Sequence, residues 1–297
     1  MKHSLPLFLT LLLLAGCGRR DTAGNSAPAA AATADRAILN VARGLENNNP
    51  SAAWHMLPES YQAELNDALR EFAGAMDPDL WTAGTSTFIK LTDVLEQQKP
   101  FLLSSPMTAM LGGREALDQD YDTSVKFLSI IKNSDLMSLQ ALRQADLGRI
   151  LASTGAELMH AADQLQSEGA GIAGMAAPAG ELRKTFAGLN AELISQQGDR
   201  AIVKLTTPAD GSEEVEFVRI EGKWIPADLA GEWTDMIRNL REGIAEIGTI
   251  DPSQKAQVLM MSTMVNGVLD QLLAAKTQQE FDAVLMGVAG MMMGGGL

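Results

Sequence analysis

Three histidines, one cysteine and a knot of carboxylates are the residues through which this chain can do chemistry. A transition-metal site usually draws on His or Cys. His3 sits in the leader, so only His55 and His160 remain, far apart in helical stretches, and both read as surface or half-buried helix residues. In "EALDQDYD", Glu115, Asp118, Asp120 and Asp122 lie close together. The D-x-D-x-D spacing is that of a calcium loop, but the sixth position, which needs Gly, is Thr123, and the closing Glu is replaced by Ser129. A solvated acidic helix face is expected instead. No G-x-S-x-G elbow, phosphate loop or dinucleotide fingerprint occurs, and Gly169 to Gly180 and Gly294 to Gly296 lack a strand-loop-helix context. No metal, cofactor or catalytic residue is therefore expected. Methionine is abundant at 16, with Met236, Met260, Met261, Met264, Met286 and Met291 to Met293 all in the last quarter of the chain. These read as adaptable core filler, the alternative being an apolar surface that holds a partner or greasy ligand. A copper-binding methionine motif is not supported by their spacing. Trp54, Trp81, Trp224 and Trp233 read as core or interface anchors.

The single cysteine has a different context. Lys2 supplies a positive start, Leu5 to Leu14 an apolar run, and Ala15 and Gly16 small residues directly before Cys17. The run is too short for a span, which needs roughly 20 apolar residues, and Arg19 and Arg20 follow it. "LAGC" at 14 to 17 resembles the lipobox of bacterial lipoproteins. That resemblance implies cleavage before Cys17, a diacylglycerol on its sulfur and a fatty acyl chain on its new amine. Gly rather than Asp at position 18 implies the periplasmic leaflet of the outer membrane. One cysteine forms no internal bridge, so Cys17 is read as the attachment point to the membrane.

The formal charge is −14 and becomes one unit more negative once Lys2 leaves. Such acidity argues against nucleic acid, which needs basic patches. An apolar fraction of 46% supports a packed core. Residues 1–16 are read as signal peptide and 17–34 as lipidated Cys and flexible tether. Residues 35–293 are read as a mainly helical α+β body and 294–297 as a frayed tail. Ile38, Val41, Ala42 and Leu45 share a helix face, and "NNNP" (Asn47 to Pro50) ends that helix and starts another. Further stripes are Tyr61, Leu65, Leu69, Phe72 and Met76; Phe88, Leu91 and Leu95; Tyr121, Val125, Leu128 and Ile131; Leu147, Leu151, Leu158 and Leu165. Asp77-Pro78 and Asp251-Pro252 are N-cap signals, and "TQQE" (Thr277 to Glu280) is a capping box. Leu229, Trp233, Ile237, Leu240, Ile244 and Ile247 form one late stripe. Val258, Met261, Val265, Val268 and Leu272 form another at three-four spacing. Between 191 and 228 the period changes to two. "AELISQQ", "RAIVKLTTP", "EEVEFVRIE" and "KWIPADL" read as a four-stranded antiparallel meander. Val203, Leu205, Val215 and Phe217 lie on one face, with Lys204, Thr206, Glu214 and Glu216 on the other.

Two stretches, "AILNVARGLENNNPSAAWHMLPESYQAEL" and "GDRAIVKLTTPADGSEEVEFVRIEGKWIPAD", resemble the opening helices and closing strands of small bacterial lipoproteins of unknown function. Those proteins are similar to the nuclear-transport-factor-like cone, helices on a curved antiparallel sheet, which also hosts steroid isomerases and polyketide cyclases. The long helical insert between the stretches and the helices after Leu229 have no counterpart there. Cone enzymes use an Asp/His or Asp/Tyr pair, and the resemblance places His55 and Tyr61 near that position. The sheet's apolar face offers no carboxylate as a base. The expected function is a lipid-anchored, non-catalytic binding or scaffold module. The alternatives are an isomerase- or hydrolase-like enzyme using a cone pocket and a carrier of a small hydrophobic ligand. An exposed Met-rich face would point to a protein partner, and an apolar cavity to a ligand.

Overall fold

A computed structural model describes residues 31–106, 114–165, 185–208 and 211–294, with only the backbone of 114–120 and 291–294. Cys17, the leader, most of the tether, the segment Gly169 to Gly180, Asp210 and the last three residues lie outside the described residues. The chain is mainly helical α+β, with one four-stranded antiparallel sheet in the order β1-β2-β3-β4.

Helix α1 (Ala34–Glu46) buries Ala37, Ile38, Val41, Ala42 and Leu45, the face its periodicity predicts. The Asn run then turns the chain sharply. Asn48 takes a left-handed φ of 55°, which asparagine tolerates better than most residues. Asn49 N–H donates to the Gly44 carbonyl at 2.8 Å and Asn48 N–H to that of Leu45 at 3.0 Å. These two bonds satisfy orphan carbonyls of the helix end. Pro50 opens α2 (Ser51–Met56), which lies so close to α1 that Gly44 has no room for a side chain. Helix α3 (Glu59–Ala75) follows after Pro58.

Helix α4 (Pro78–Gln97) starts where the sequence predicts: Asp77 accepts from the Asp79 and Leu80 N–H groups. Then come α5 (Lys99–Ser104) and α6 (Arg114–Lys132). Short α7 (Leu139–Leu142) and α8 (Leu147–Ile150) follow. A widened π turn at Leu151–Gly155 joins α8 to α9 (Ala156–Asp163). Gly148 is the second obligate glycine, since a Cβ there would stand 2.5 Å from Trp54 Nε1.

The strands are β1 (Asn190–Gln197), β2 (Arg200–Thr207), β3 (Gly211–Ile220) and β4 (Lys223–Pro226). Val203 pairs with Val215 and Ala201 with Phe217 on the inner face, while Lys204 pairs with Glu214 outside. The two faces are those that the alternation predicts. Ala227 to Leu229, read from sequence as the end of the last strand, instead begin α10 (Ala227–Ile247). Pro226 cannot extend the ladder as a donor, and Asp228 suits a first helical turn. Helices α11 (Pro252–Ala274) and α12 (Gln278–Gly294) complete the fold. Thr277 caps α12 through the Glu280 N–H at 3.2 Å, and Glu280 reaches back to the Lys276 N–H at 2.8 Å.

One core lies between the sheet and α1, with Val203, Phe217, Trp224 and Ile225 fully enclosed. Burial of a side chain such as Phe217 contributes roughly 1.5–3 kcal/mol. A second joins Trp54, Leu65, Leu147, Ile150, Leu229 and Trp233. A third, between α4, α11 and α12, gathers Val94, Leu269, Leu272 and Phe281.

Candidate functional site

Where the β3–β4 hairpin meets α2, α3 and α10, the structure brings His55 and Tyr61 near charged groups. The hairpin turn is Glu221-Gly222, both at positive φ, 50° and 77°. Two-residue hairpin turns of this kind favour Asn, Asp or Gly, so a glutamate is strained there. The Glu221 carboxylate lies on the N-terminus of α3. It accepts from the Ser60 N–H at 3.1 Å and from the Ser60 hydroxyl. Helix α3 has no side-chain cap of its own, because Pro58 occupies that position. Glu221 therefore supplies in trans what a local Ser or Asp usually supplies. Those hydrogen bonds from Ser60 hold the Glu221 carboxyl below its ordinary value.

Lys223, just past the turn, donates to the His55 carbonyl at 3.0 Å. Burial, and then the Lys223 charge, hold the His55 imidazole below its ordinary value, so it is neutral at neutral pH. Tyr61 stacks flat on Trp233, with ring centroids 3.8 Å apart. Burial raises the Tyr61 phenol, helped by the nearby charges of Glu64 and Glu221. Trp233 Nε1–H donates to Glu64.

General acid–base chemistry needs a group within reach of a reacting proton. Here Glu64 is held by an indole, Glu221 by a helix terminus, and Lys223 by a backbone carbonyl. The cluster works as a clasp between hairpin and helices. Sequence reasoning named His55 and Tyr61 but missed Glu221, Lys223 and Glu64. The signal for the turn was Gly222; nothing local signals that its neighbour caps a helix 161 residues away. Glu221→Gln should melt at a lower temperature than wild type near pH 7. Because the folded value is depressed below 4.5, the carboxylate's contribution is present above that value and disappears as the group protonates. The gap in melting temperature should therefore narrow as the pH is lowered through the depressed folded value. A gap that stays the same size on acidification would show that the charge plays no part.

The other sequence candidates lie elsewhere. His160 is exposed and meets Gln164 on its own helix at 3.1 Å. Asp118, Asp120 and Asp122 all lie inside α6, a continuous helix rather than a calcium-type loop. Lys99 bonds Asp122 at 2.7 Å, and the side chains of Glu115, Asp118 and Asp120 lie outside the described residues. Among the described residues no three His, Cys, Asp or Glu side chains gather as a metal would need. None of the described helices is long and apolar enough to cross a membrane. Trp54, Trp224 and Trp233 are buried; Trp81 is half-buried and donates to the Met137 carbonyl at 3.2 Å.

Helix α11 overturns an expectation. The stripe read from sequence, Val258, Met261, Val265, Val268 and Leu272, divides: Leu272 is buried and Val268 half-buried at the third core, whereas Val258, Met261 and Val265 face out. These residues are 44%, 51% and 41% exposed, with Met260 and Met264 beside them at 64% and 58%. Met286 of α12 is exposed too, so these methionines are not core filler, whereas Met56 and Met159 are buried and Met236 packs against the second core. Over the first half of α11 the contact with α4 is polar; further along, Leu269 and Leu272 join Val94 of α4 in the third core. Thr87 and Ser262 hydroxyls meet at 3.0 Å, and Ser262 reaches the Ala83 carbonyl at 3.1 Å. Asn266 donates to Ser262 at 3.2 Å, yet its buried Oδ1 has no partner among the described residues. Such an orphan costs about 1–3 kcal/mol. Ion pairs tie the seam at both ends: Lys255 to Asp77 and Asp79, and Lys90 to Asp270. Short side chains at Ala83, Thr87 and Ser262 let the helices approach closely, and this seam sets the rotation of α11. Over this first half, the result inverts the usual surface helix, which turns its apolar stripe inward.

Comparison with protein families, with curated proteins and with solved structures finds no match.

Proposed function

We propose that the chain is a lipid-anchored envelope protein and a non-catalytic binding or scaffold module. Cys17 carries the acyl chains that hold it at the outer membrane's periplasmic leaflet, and the outward stripe of α11 receives a protein partner. The observation that supports this reading is the inversion of α11. Apolar surface left in water forgoes roughly 25 cal/mol per Å², and contiguous exposed apolar patches on a soluble body mark interaction sites. Methionine suits such a surface because its unbranched thioether adapts to different shapes. The clasp at Glu221, by contrast, has its charged groups occupied by the fold.

The test is photo-crosslinking in intact cells. A photoreactive residue at Met264 should capture a reproducible protein partner. The same residue at Glu192, on the solvated face of the sheet, should not. Equal capture from both positions would remove the reading. Recovery of lipid alone at Met264 would favour the carrier of a hydrophobic ligand.

A further inference from the structure

We infer that the occupant of the α11 stripe is a basic amphipathic helix of a protein partner; this rests on the docking role proposed above. Val258, Met261 and Val265 recur at three- and four-residue spacing, the seam into which another helix sets its own apolar side chains. The seam itself is neutral: from Ala256 to Leu269 no residue is charged. The charges that the structure places at its two ends are mainly acidic. Lys255 is bridged by two carboxylates, Asp77 and Asp79, Lys90 by Asp270, and Asp251 caps the helix. A partner that is apolar on one face and cationic around it matches this field, and one with acidic flanks is repelled.

The same features disfavour two other occupants. Helices that lie on a bilayer carry Lys and Arg on the polar face and aromatic residues at the boundary. Helix α11 has no aromatic residue, a single lysine and acidic neighbours. A second copy would set identical carboxylates against one another across the seam.

The test uses the mature chain from residue 17, with Cys17→Ser, which keeps every described element. Two labelled helical peptides of identical length serve as probes. Both carry a leucine face; one has lysines around it and its twin has glutamates. The lysine peptide should bind about tenfold or more tightly than its twin at low salt, and the difference should shrink in about 1 M salt, where screening reaches ~3 Å. Met261→Gln with Met264→Gln should weaken the lysine peptide about tenfold, since two anchors become polar. The far-UV spectrum should stay unchanged, as both side chains are exposed. Equal binding of the twins, or a lysine-peptide affinity that the double variant leaves intact, would overturn the inference. So would tighter binding to phosphatidylglycerol vesicles, or self-association abolished by the double variant. Each of these, with Met264 crosslinks to a protein still seen in cells, sinks the basic-helix assignment and spares the docking role. Loss of the crosslinks as well removes both.

Discussion

Removing the sulfur at residue 17 is expected to release the protein from the membrane completely while leaving its body folded. On the proposed anchoring, Cys17 holds two or three acyl chains. Each buried methylene is worth about 0.8 kcal/mol, yet a single myristoyl-length chain binds only marginally, near 10⁴ M⁻¹. Two chains on one residue move the equilibrium from reversible contact to durable residence. None of the described helices is long and apolar enough to span a bilayer, and the surface is strongly acidic. The first described core residues, Ala34, Ala37 and Ile38, lie well beyond the attachment point. An unprocessed leader would itself retain the chain, so Cys17→Ala is best read behind a leader with an ordinary small-residue cleavage site. The expected result is loss of metabolically incorporated fatty acid and full transfer to the soluble envelope fraction, with an unchanged melting curve. A variant that stays with the membranes after a salt wash would show that the anchor lies elsewhere.

How much of this was legible without coordinates depended on how local each feature is. The Asp77 and Asp251 caps and the Asn47 to Pro50 corner are written in a few adjacent residues and were readable. The inner-face pairing of Val203 with Val215 follows from strict alternation, because a slip by one residue would expose every apolar side chain. The direction of α11 was not readable in the same way. Periodicity shows that Val258, Met261 and Val265 share a face, but not whether that face meets a neighbour. The answer lay in Thr87 and Ser262, which are 175 residues apart, and in the ion pairs that flank them. The clasp was hidden for the same reason. Glu221 is an unremarkable turn neighbour in sequence, and its role exists only because a proline holds the N-cap position of α3 and supplies no side-chain cap. Ala227 to Leu229 were assigned to a strand because their alternation continues that of β4, whereas the proline before them ends the ladder.

The sharpest test of the packing compares two glycines in the last turns of their helices. Gly44→Ala is expected to cost about 3 kcal/mol, and Gly74→Ala to gain about 0.5–1 kcal/mol. Helix propensity favours alanine equally at both sites, so it cannot explain a difference in sign. The neighbours do. A Cβ at Gly44 would stand 2.2 Å from the Ala52 Cβ and 3.1 Å from the Asn49 carbonyl oxygen, whereas at Gly74 nothing lies within 4 Å. Neither contact at Gly44 can yield cheaply. Ala52 has no rotamer to change, and the Asn49 backbone is fixed by its hydrogen bond to the Gly44 carbonyl, 2.8 Å long. Relief therefore requires α2 to move away from α1, which disturbs Ala53 and Met56 beneath it in the sheet core. At about 2–4 °C per kcal/mol for a chain of this size, Gly44→Ala should melt roughly 6–12 °C lower than wild type. A double-mutant cycle identifies the cause. Ala52→Gly alone should destabilise modestly through lost propensity. Combined with Gly44→Ala it should restore part of the loss, because the crowded methyl has been transferred from one helix to the other. If the two changes simply add, the close approach of α1 and α2 is not what Gly44 permits.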